Sequence, residues 1–518
     1  MLTRMFVAPD PGRGRLRAAT RAVVGIGAAS AAAGLAGHAL TAVIAGGLAA
    51  LLALFTVTDA TVRDQALTTA LLPVVGFPVL ALAAALHSHP GARDAVFLAV
   101  VCAGVYARRW GARGHALGIF AFMAFFMAQF LHAVPGQLPQ LYGAMAIGLA
   151  VSSAVRFGCW CYERRLPPAA VPAPLTGRGL ARPTTRQALQ TTAACAFALA
   201  AGQLLSQDRW YWAVGTAWWI FVNTASRGET LVRGFRRVVG TVAGIAAGLL
   251  VAVPLNGSLT PSAALVACCV FGIFYTATVS YSWMMFFVTV MAGLLYGLLG
   301  VLRPGLLLLR FEETAAGALG AALAVAVILP VTTHAATDAW IRRALTSVHT
   351  CTTTAARRLS GDERADPVAA AAELELLLGR VRTSLAPLVH PLSPLRARRT
   401  RARQVLLLLD DCAREVRGFA AVAAAAGPAG PHDASRDASH DASHDARFAA
   451  ACRRVEDAVH ALVPPAAEPS HRPAGTAGRP AAHHPGAEAA LAHLHGLERA
   501  LAELSAPLRA TPRTPLTV

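Results

Sequence analysis

Twelve apolar runs, separated by short polar connectors, fill residues 1–331 of the 518-residue chain. Most are roughly 17–23 residues long, which suits helices that cross a bilayer core of about 30 Å at a rise of about 1.5 Å per residue. The pattern predicts an all-α polytopic membrane protein with about twelve spans. The predicted spans are residues 18–36, 39–58, 66–86, 93–107, 115–131, 139–158, 188–206, 210–225, 236–255, 260–278, 281–301 and 311–331.

The first six runs and the last six resemble each other at an offset of 164 residues. The Val-Val-Gly of residues 74–76 falls on the same triplet at 238–240, and Arg63 falls on Arg227. Each set has an even number of spans and begins on the same side of the membrane. The sequence therefore predicts two parallel six-helix repeats related by an approximate twofold axis along the membrane normal. Such a repeat leaves a path between its halves.

After the last predicted span the chain becomes alanine-rich with interleaved charges, a pattern typical of amphipathic helices that need a packing partner. A repeat of Asp-Ala-Ser-His follows; it has almost no apolar content and is predicted to be disordered. The predicted domains are 1–158 (first six-span half), 159–187 (cytosolic linker), 188–331 (second six-span half), 332–426 (cytosolic helical region), 427–447 (low-complexity linker) and 448–518 (C-terminal tail with amphipathic helices).

The composition agrees with a chain that is largely solvated by lipid. Charged residues make up 14% of the chain and hydrophobic residues 55%, whereas soluble domains are about a quarter charged. The net charge of +18 does not indicate a nucleic-acid partner, because the arginines lie in the connectors between apolar runs. Their concentration in alternate connectors follows the positive-inside rule and predicts a plasma-membrane protein with both termini in the cytosol.

Charged residues are nearly absent from the predicted spans. An arginine at the bilayer centre costs about 2.5–3.5 kcal/mol on insertion scales, which explains their exclusion. Without buried carboxylates, a proton pump with an acidic relay is disfavoured. The connectors assigned to the outer face hold four arginines, Arg93, Arg209, Arg303 and Arg310.

The sequence has no motif for catalysis or metal binding. It contains neither a phosphate-binding glycine loop nor a serine or cysteine nucleophile motif, so we expect neither an enzyme nor a cofactor. Cys159 and Cys161 lack the partner ligands of a zinc site, and the nine cysteines are expected to be free thiols in apolar surroundings. His432, His440 and His444 are interpreted as part of the solvated linker, so no metal site is predicted.

Residues 226–244, SRGETLVRGFRRVVGTVAG, place four arginines between two long apolar runs. With the aromatic run before them, they resemble the most characteristic stretch of the fusaric acid resistance (FUSC) family, which includes aromatic acid exporters. The resemblance implies a membrane transporter that exports organic anions such as aromatic carboxylates. The residues that carry it are Tyr211-Trp212, Ser226-Arg227-Gly228-Glu229-Thr230 and Arg237-Val238-Val239-Gly240-Thr241.

The arginine block supplies the first candidates for the substrate path. A carboxylate exporter needs a cationic mouth, and an arginine holds a carboxylate through two charge-assisted hydrogen bonds. Arg227 is the first candidate and is matched by Arg63 in the repeat; its alternative role is to set topology and bind headgroups. Glu229 is either a gate that pairs with an arginine in the empty state or a simple helix-terminal charge. Asn223 lies one turn before Arg227 on the same face.

The eighth predicted span supplies aromatic candidates. Trp218 and Trp219 lie deep in it, and one of them is expected to reach the path, since adjacent helical positions point in different directions. Trp210, Tyr211 and Trp212 are expected to form an aromatic belt at the outer interface.

The ninth predicted span carries a glycine stripe. Gly240, Gly244 and Gly248 are spaced four residues apart and are predicted to let this helix pack closely against a neighbour.

Two other functions stay open from the sequence. A major-facilitator-type transporter also has twelve spans in two halves, although Val232 stands where its connector signature needs an aspartate. A membrane scaffold or regulator acting through cytosolic helices is a different class. The sequence also leaves open whether the chain forms homo-oligomers.

Overall fold

The structure is a computed structural model, and the regular secondary structure in the residues it describes is helical throughout. The chain divides into two compact units, residues 1–169 with 173–330, and residues 331–518 with 170–172. The described residues are 13–163, 179–224, 226–255, 257–302, 304–330, 333–389, 396–425, 438–463 and 486–509.

Twelve α-helices make up most of the described part of the first unit, and each overlaps one predicted apolar segment. Proline opens α4, α7 and α12, where a missing backbone N–H is tolerated. The helices are α1 (Gly14–Leu35), α2 (Leu40–Thr56), α3 (Val62–Ala85), α4 (Pro90–Tyr106), α5 (Gly111–Phe130), α6 (Leu138–Glu163), α7 (Pro183–Leu205), α8 (Tyr211–Phe221), α9 (Arg227–Leu255), α10 (Leu259–Thr276), α11 (Tyr281–Leu298) and α12 (Pro304–Val327).

Eight helical stretches in the described residues are long and apolar enough to cross a membrane. The predicted twelve spans are therefore matched only in part. Helices α4 and α5 continue through a short 3-10 turn and form one apolar stretch, Pro90–Phe130. Helix α2 is apolar but has 17 residues, and α8 has only 11. Helix α12 is long enough but carries three charges, on Arg310, Glu312 and Glu313.

Helix α8 ends early for a local reason. Asn223 adopts the left-handed conformation, with φ of 63°, which stops the helix after Phe221. The carbonyl groups exposed at this end accept hydrogen bonds from other helices. Arg108 Nη1 donates to the Phe221 carbonyl at 3.2 Å, and Gln187 Nε2 donates to the carbonyl of Thr224. At about 1.5 Å per residue α8 is roughly 16 Å long, about half of the bilayer core.

The same helix pairs are in contact in both sets of six. In the first set, α1 packs on α2 and α6, α2 packs on α6, and α5 packs on α3 and α4. In the second set, α7 packs on α8 and α12, α8 packs on α12, and α11 packs on α9 and α10. Between the sets, α4 packs on α7 and α1 packs on α10. In each case the fourth helix of one set contacts the first helix of the other.

The C-terminal end of α2 is hydrogen-bonded to an arginine of α6. Arg156 is buried, and its two terminal nitrogens donate to the carbonyl oxygens of Val57 and Ala53 at 2.8 Å each. A positive charge is favourable at this position because the C-terminus of a helix carries partial negative charge. The buried guanidinium of α6 is thus bound to backbone.

The second unit is a helical bundle. Its described helices are α13 (Thr333–Leu359), α14 (Pro367–Val389), α15 (Arg396–Ala425), α16 (Ala438–Leu462) and α17 (Ala487–Arg509). All five contribute buried apolar side chains to one core, for example Leu345, Leu378, Leu409, Val455 and Leu494. The predicted C-terminal tail is therefore packed with the predicted helical region in a single core.

The predicted low-complexity linker, residues 427–447, is partly helical. Helix α16 begins at Ala438 and includes His440 and His444, whereas His432 lies outside the described residues. Alanine, the strongest helix former, recurs every fourth residue in this repeat, and the helix continues into the apolar residues after Arg447. Helix propensity and packing of the following turns override the polar composition here.

Candidate functional site

A cavity of about 140 Å³ lies inside the first unit, with walls from both sets of six helices. Helices α2 and α5 of the first set line it together with α8 to α12 of the second. Most of the lining is leucine, methionine and phenylalanine, including Leu48, Phe126 and Met285. Two guanidinium groups, those of Arg237 and Arg310, interrupt this apolar lining.

Arg237 reaches the cavity from α9. Its side chain is 3% exposed, and Nη1 donates to the Tyr281 hydroxyl at 3.1 Å and contacts Met285 Sδ at 2.9 Å. Its Nε has no hydrogen-bond acceptor among the described residues. The Tyr281 ring also supports Arg233, whose guanidinium carbon lies 4.1 Å from the ring centroid. Arg237 is therefore held in place while its Nε–H has no acceptor among the described residues.

Arg310 reaches the cavity from α12. It is also 3% exposed, and its guanidinium carbon lies 3.4 Å from the centroid of the Trp212 ring. Neither Nε nor Nη1 meets an acceptor in the part of the chain that the structure describes. Trp212 in turn donates its indole N–H to the hydroxyl of Tyr296. Arg310 is thus positioned by an aromatic face rather than by hydrogen bonds through these two groups.

We use the term open donors for the Nε–H of Arg237 and the Nε–H and Nη1–H of Arg310. Burying a charged group without hydrogen-bond partners costs of order several kcal/mol, so such donors are rare in a folded interior. An anion in the cavity would satisfy them through charge-assisted hydrogen bonds, for which the guanidinium fork is well shaped. The electrostatics of the cavity therefore favour a negatively charged ligand.

The aromatic wall beside the open donors is built from α5 and α8. Phe126 meets the Trp212 ring edge-on at a centroid distance of 5.0 Å, and Phe130 meets it at 6.0 Å. Trp219 lines the other side of the cavity and meets Phe55 of α2 edge-on at 6.5 Å. Flat aromatic and flexible methionine side chains suit a planar apolar ligand.

Glu313 lies one turn after Arg310 on α12 and is 1% exposed. Its Oε1 has no hydrogen-bond partner within the described ranges. The assignment of Arg310 to an outer connector is therefore wrong, because Arg310 lies within α12. The connector is shorter than predicted because α12 begins at Pro304. The i, i+3 spacing of Arg310 and Glu313 was the signal available in the sequence.

Residues 195–328 match the family model described as fusaric acid resistance protein-like. The match confirms the resemblance found in the sequence and indicates a membrane transport or efflux role. It covers about a quarter of the chain, and this FUSC-like segment contains Arg237, Arg310 and Glu313. No curated protein and no solved structure matches the chain.

The polar candidates chosen from the sequence lie away from the cavity lining that the structure describes. Arg227 is exposed at the start of α9, and Asn223 is exposed just before it. Glu229 is 9% exposed, and its backbone N–H donates to Ser226 Oγ at 3.4 Å. Arg63 is exposed at the start of α3. These residues mark the ends of helices, whereas the cavity lies further along the bundle.

The two tryptophans of α8 have different surroundings. Trp219 lines the cavity, but Trp218 is fully buried and stacks on Phe122 of α5, with ring centroids 4.2 Å apart and planes 6° apart. The guanidinium carbon of Arg108 lies 5.9 Å from the centre of the Trp218 ring. Trp218 therefore joins two helices and is not part of the described lining.

The predicted aromatic belt is not at a protein surface. Trp210 and Tyr211 are 2% and 1% exposed, respectively, and Trp210 packs edge-on against Phe97 of α4 at 5.7 Å. Trp212 forms part of the cavity wall. These aromatic side chains are buried because α8 packs among other helices of the bundle, including α5, α7 and α12.

The glycine stripe of α9 contacts α11 at two of its three positions. A Cβ on Gly240 would lie 2.3 Å from the Ser282 carbonyl oxygen, and one on Gly244 would lie 2.7 Å from Thr289 Cβ. At Gly248 no described atom lies within 4 Å of an added Cβ. The absence of side chains at Gly240 and Gly244 brings α9 close enough to α11 to place Arg237 beside Tyr281.

Proposed function

We propose that this protein is a membrane exporter of amphipathic organic anions, with aromatic carboxylates as the substrate class. One observation carries the proposal: Arg237 and Arg310, two buried arginines with open donors, line an apolar cavity that has an aromatic wall. The family match supports the transport role in general, and the cavity supports the substrate class.

The size and chemistry of the cavity suit a single aromatic ring with an acidic group. A dry apolar cavity of roughly 150 Å³ accommodates benzene, and this cavity measures about 140 Å³. The ring would pack among methionine and aromatic side chains. The carboxylate would accept hydrogen bonds from Arg310 and Arg237. A neutral ring of the same size would leave the open donors unsatisfied, so the site discriminates in favour of anions.

We also propose that the twelve helices form two six-helix repeats around this path. The equivalent helix pairs in the two sets support the proposal. So does a matching close approach: a Cβ on Gly76 of α3 would lie 2.2 Å from the Phe120 ring of α5, and one on Gly240 of α9 would lie 2.9 Å from Met285 Cβ of α11. The cavity lies where the two repeats meet, as in transporters built from repeats.

The exposed arginines at the helix starts are proposed to form the loading mouth. Arg227 and Arg63 occupy equivalent positions at the starts of α9 and α3, and the positive-inside rule would place both on the cytosolic side of the plasma membrane. In this scheme Asn223 and Glu229 flank the mouth. Arg227 raises the local anion concentration, and the open donors hold the bound anion.

The test is uptake of a labelled aromatic carboxylate into inside-out membrane vesicles at matched protein abundance. Arg310→Gln is expected to abolish saturable uptake, because it removes charge and fork geometry from the cavity. Arg227→Gln, the exposed control, is expected to raise KM moderately and leave kcat unchanged. Equal uptake by wild type and Arg310→Gln would contradict the proposed site. No uptake by wild type would contradict the function and favour the scaffold alternative.

A further inference from the structure

Glu313 is a buried carboxyl group that the proposed anion site does not itself explain. It is 1% exposed, and one of its oxygens has no hydrogen-bond partner in the described residues. A permanently ionised carboxylate in such a place is expensive, and so is a permanently unpaired guanidinium. The two groups lie three residues apart on one face of α12 and interact electrostatically.

Positive charge dominates the surroundings of Glu313. Arg310 and Arg209 attract its ionised form, and Glu312 repels it. The groups near this pair are Arg209 from the α7–α8 connector, Tyr211 from α8, Arg237 from α9, Tyr296 from α11 and Glu312 from α12. Glu312 is the carboxyl group among these neighbours, and it is exposed, whereas Glu313 is buried.

We propose that Glu313 is the internal counterion of Arg310 and that it takes up a proton when a substrate anion binds. This inference rests on the proposed function of the cavity. In the empty site the ionised Glu313 offsets part of the positive charge of Arg310 and Arg237. When the anion binds to these two arginines, its negative charge and that of Glu313 repel each other. A proton from water then binds a carboxylate oxygen of Glu313, and the total charge of the site is unchanged.

The coupling has a definite sign. Because the anion and the proton bind together, the apparent affinity for the anion rises as pH falls. Where Glu313 is ionised in the empty site and protonated in the loaded one, the apparent dissociation constant changes by up to about tenfold per pH unit. An amide at this position resembles the protonated carboxyl group, so Glu313→Gln is fixed in the state that binds the anion well.

The experiment measures vesicle uptake of an aryl sulfonate, whose own charge is constant over the range from about pH 6 to about pH 8.5. In wild type the KM is expected to rise with pH. In Glu313→Gln it is expected to stay at its low-pH value, and Glu312→Gln, an exposed carboxyl one residue away, is expected to behave as wild type. Glu313→Asp retains a titrating group and should retain the pH dependence, which separates charge coupling from a purely structural role.

A second readout is independent of transport. Purified protein in weak buffer is expected to take up protons when the sulfonate is added, and Glu313→Gln is expected to take up none. Retention of the wild-type pH dependence in Glu313→Gln would overturn the inference while the anion site stands. Absence of sulfonate uptake and of sulfonate binding by wild type would overturn the proposed function itself, together with the coupling that rests on it.

Discussion

The central guanidinium carbon of Arg310 lies 3.4 Å from the centroid of the Trp212 ring. A cation at this distance is attracted to the ring face without using its N–H groups as hydrogen-bond donors. This geometry explains how a buried arginine is fixed in position while two of its donors find no acceptor in the described structure. Positioning and ligand binding use different parts of the same side chain.

Replacing Trp212 by leucine removes this platform. A desolvated cation–π contact is worth about 2 kcal/mol, so KM for an aromatic anion is expected to rise roughly thirtyfold. Trp110→Leu is the matched control, since that indole is 64% exposed and lies outside the described lining. Initial rates of uptake into vesicles provide the measurement. An unchanged KM in Trp212→Leu would show that Arg310 does not depend on the stack.

Replacing Arg310 by methionine separates stability from binding. The substitution removes a buried charge with open donors and leaves an apolar chain of similar length. At about pH 6, where Glu313 can take up a proton once its counterion is gone, the melting temperature of the ligand-free protein in detergent is expected to stay the same or rise. Adding an aromatic carboxylate is expected to raise the melting temperature of wild type but not that of Arg310→Met. Arg227→Met, at an exposed position, should change neither quantity appreciably. A clear fall in melting temperature for Arg310→Met would mean that the arginine is a structural residue.

The glycine stripe of α9 permits a paired test. Gly240→Ala places a methyl group 2.3 Å from the Ser282 carbonyl oxygen on α11, and such overpacking typically costs about 1–3 kcal/mol. Gly248→Ala meets no described atom within 4 Å and is expected to be neutral or to gain up to about 1 kcal/mol from helix propensity. Thermal unfolding of the two variants is the measurement. Equal effects at both positions would contradict the close α9–α11 contact.

The second unit has a pH-dependent stability that can be tested. Burial raises the pKa of Cys412 from 9.0 to about 12, so the folded state keeps the thiol protonated where the unfolded chain ionises. This contribution is fully present below the unfolded pKa and is lost as pH rises from about 9 toward about 12. At about pH 10 the loss is of order 1 kcal/mol. Denaturant unfolding of wild type and Cys412→Ala at about pH 8 and about pH 10 measures it; the variant should lose less stability between the two.

The sequence located the helices better than the site. Long apolar runs fix helices by hydrophobic patterning alone, so each predicted segment overlaps a helix. The location of charged side chains is harder to predict, because an arginine near the end of an apolar run can belong to a connector or to the following helix. Arg310 belongs to α12, and its neighbour Trp212 is distant in sequence, so only tertiary structure brings them together. Arg227 was prominent in the sequence because of its motif, but it is exposed at a helix start.

Local sequence also misled in two short segments. The eighth apolar run predicts a full span, but α8 ends after Phe221, where Asn223 is left-handed and Arg108 donates to the Phe221 carbonyl. The composition of the Asp-Ala-Ser-His repeat predicts disorder, yet α16 begins within the repeat at Ala438. At α8, contacts from elsewhere in the fold decide where the helix ends. At α16, alanine propensity and the packing of the following turns extend the helix into the polar repeat.

Helices α6 and α12 make equivalent contacts in the two sets of six, and each buries one arginine. The two arginines form different interactions. Arg156 donates both terminal nitrogens to backbone carbonyls of α2, whereas Arg310 keeps open donors. In the proposed repeat, the arginine of the first half stabilises the fold, and the arginine of the second half is proposed to bind the anion. The stoichiometry follows: a chain with two similar halves would hold one anion, and an equilibrium titration would saturate at one equivalent per polypeptide.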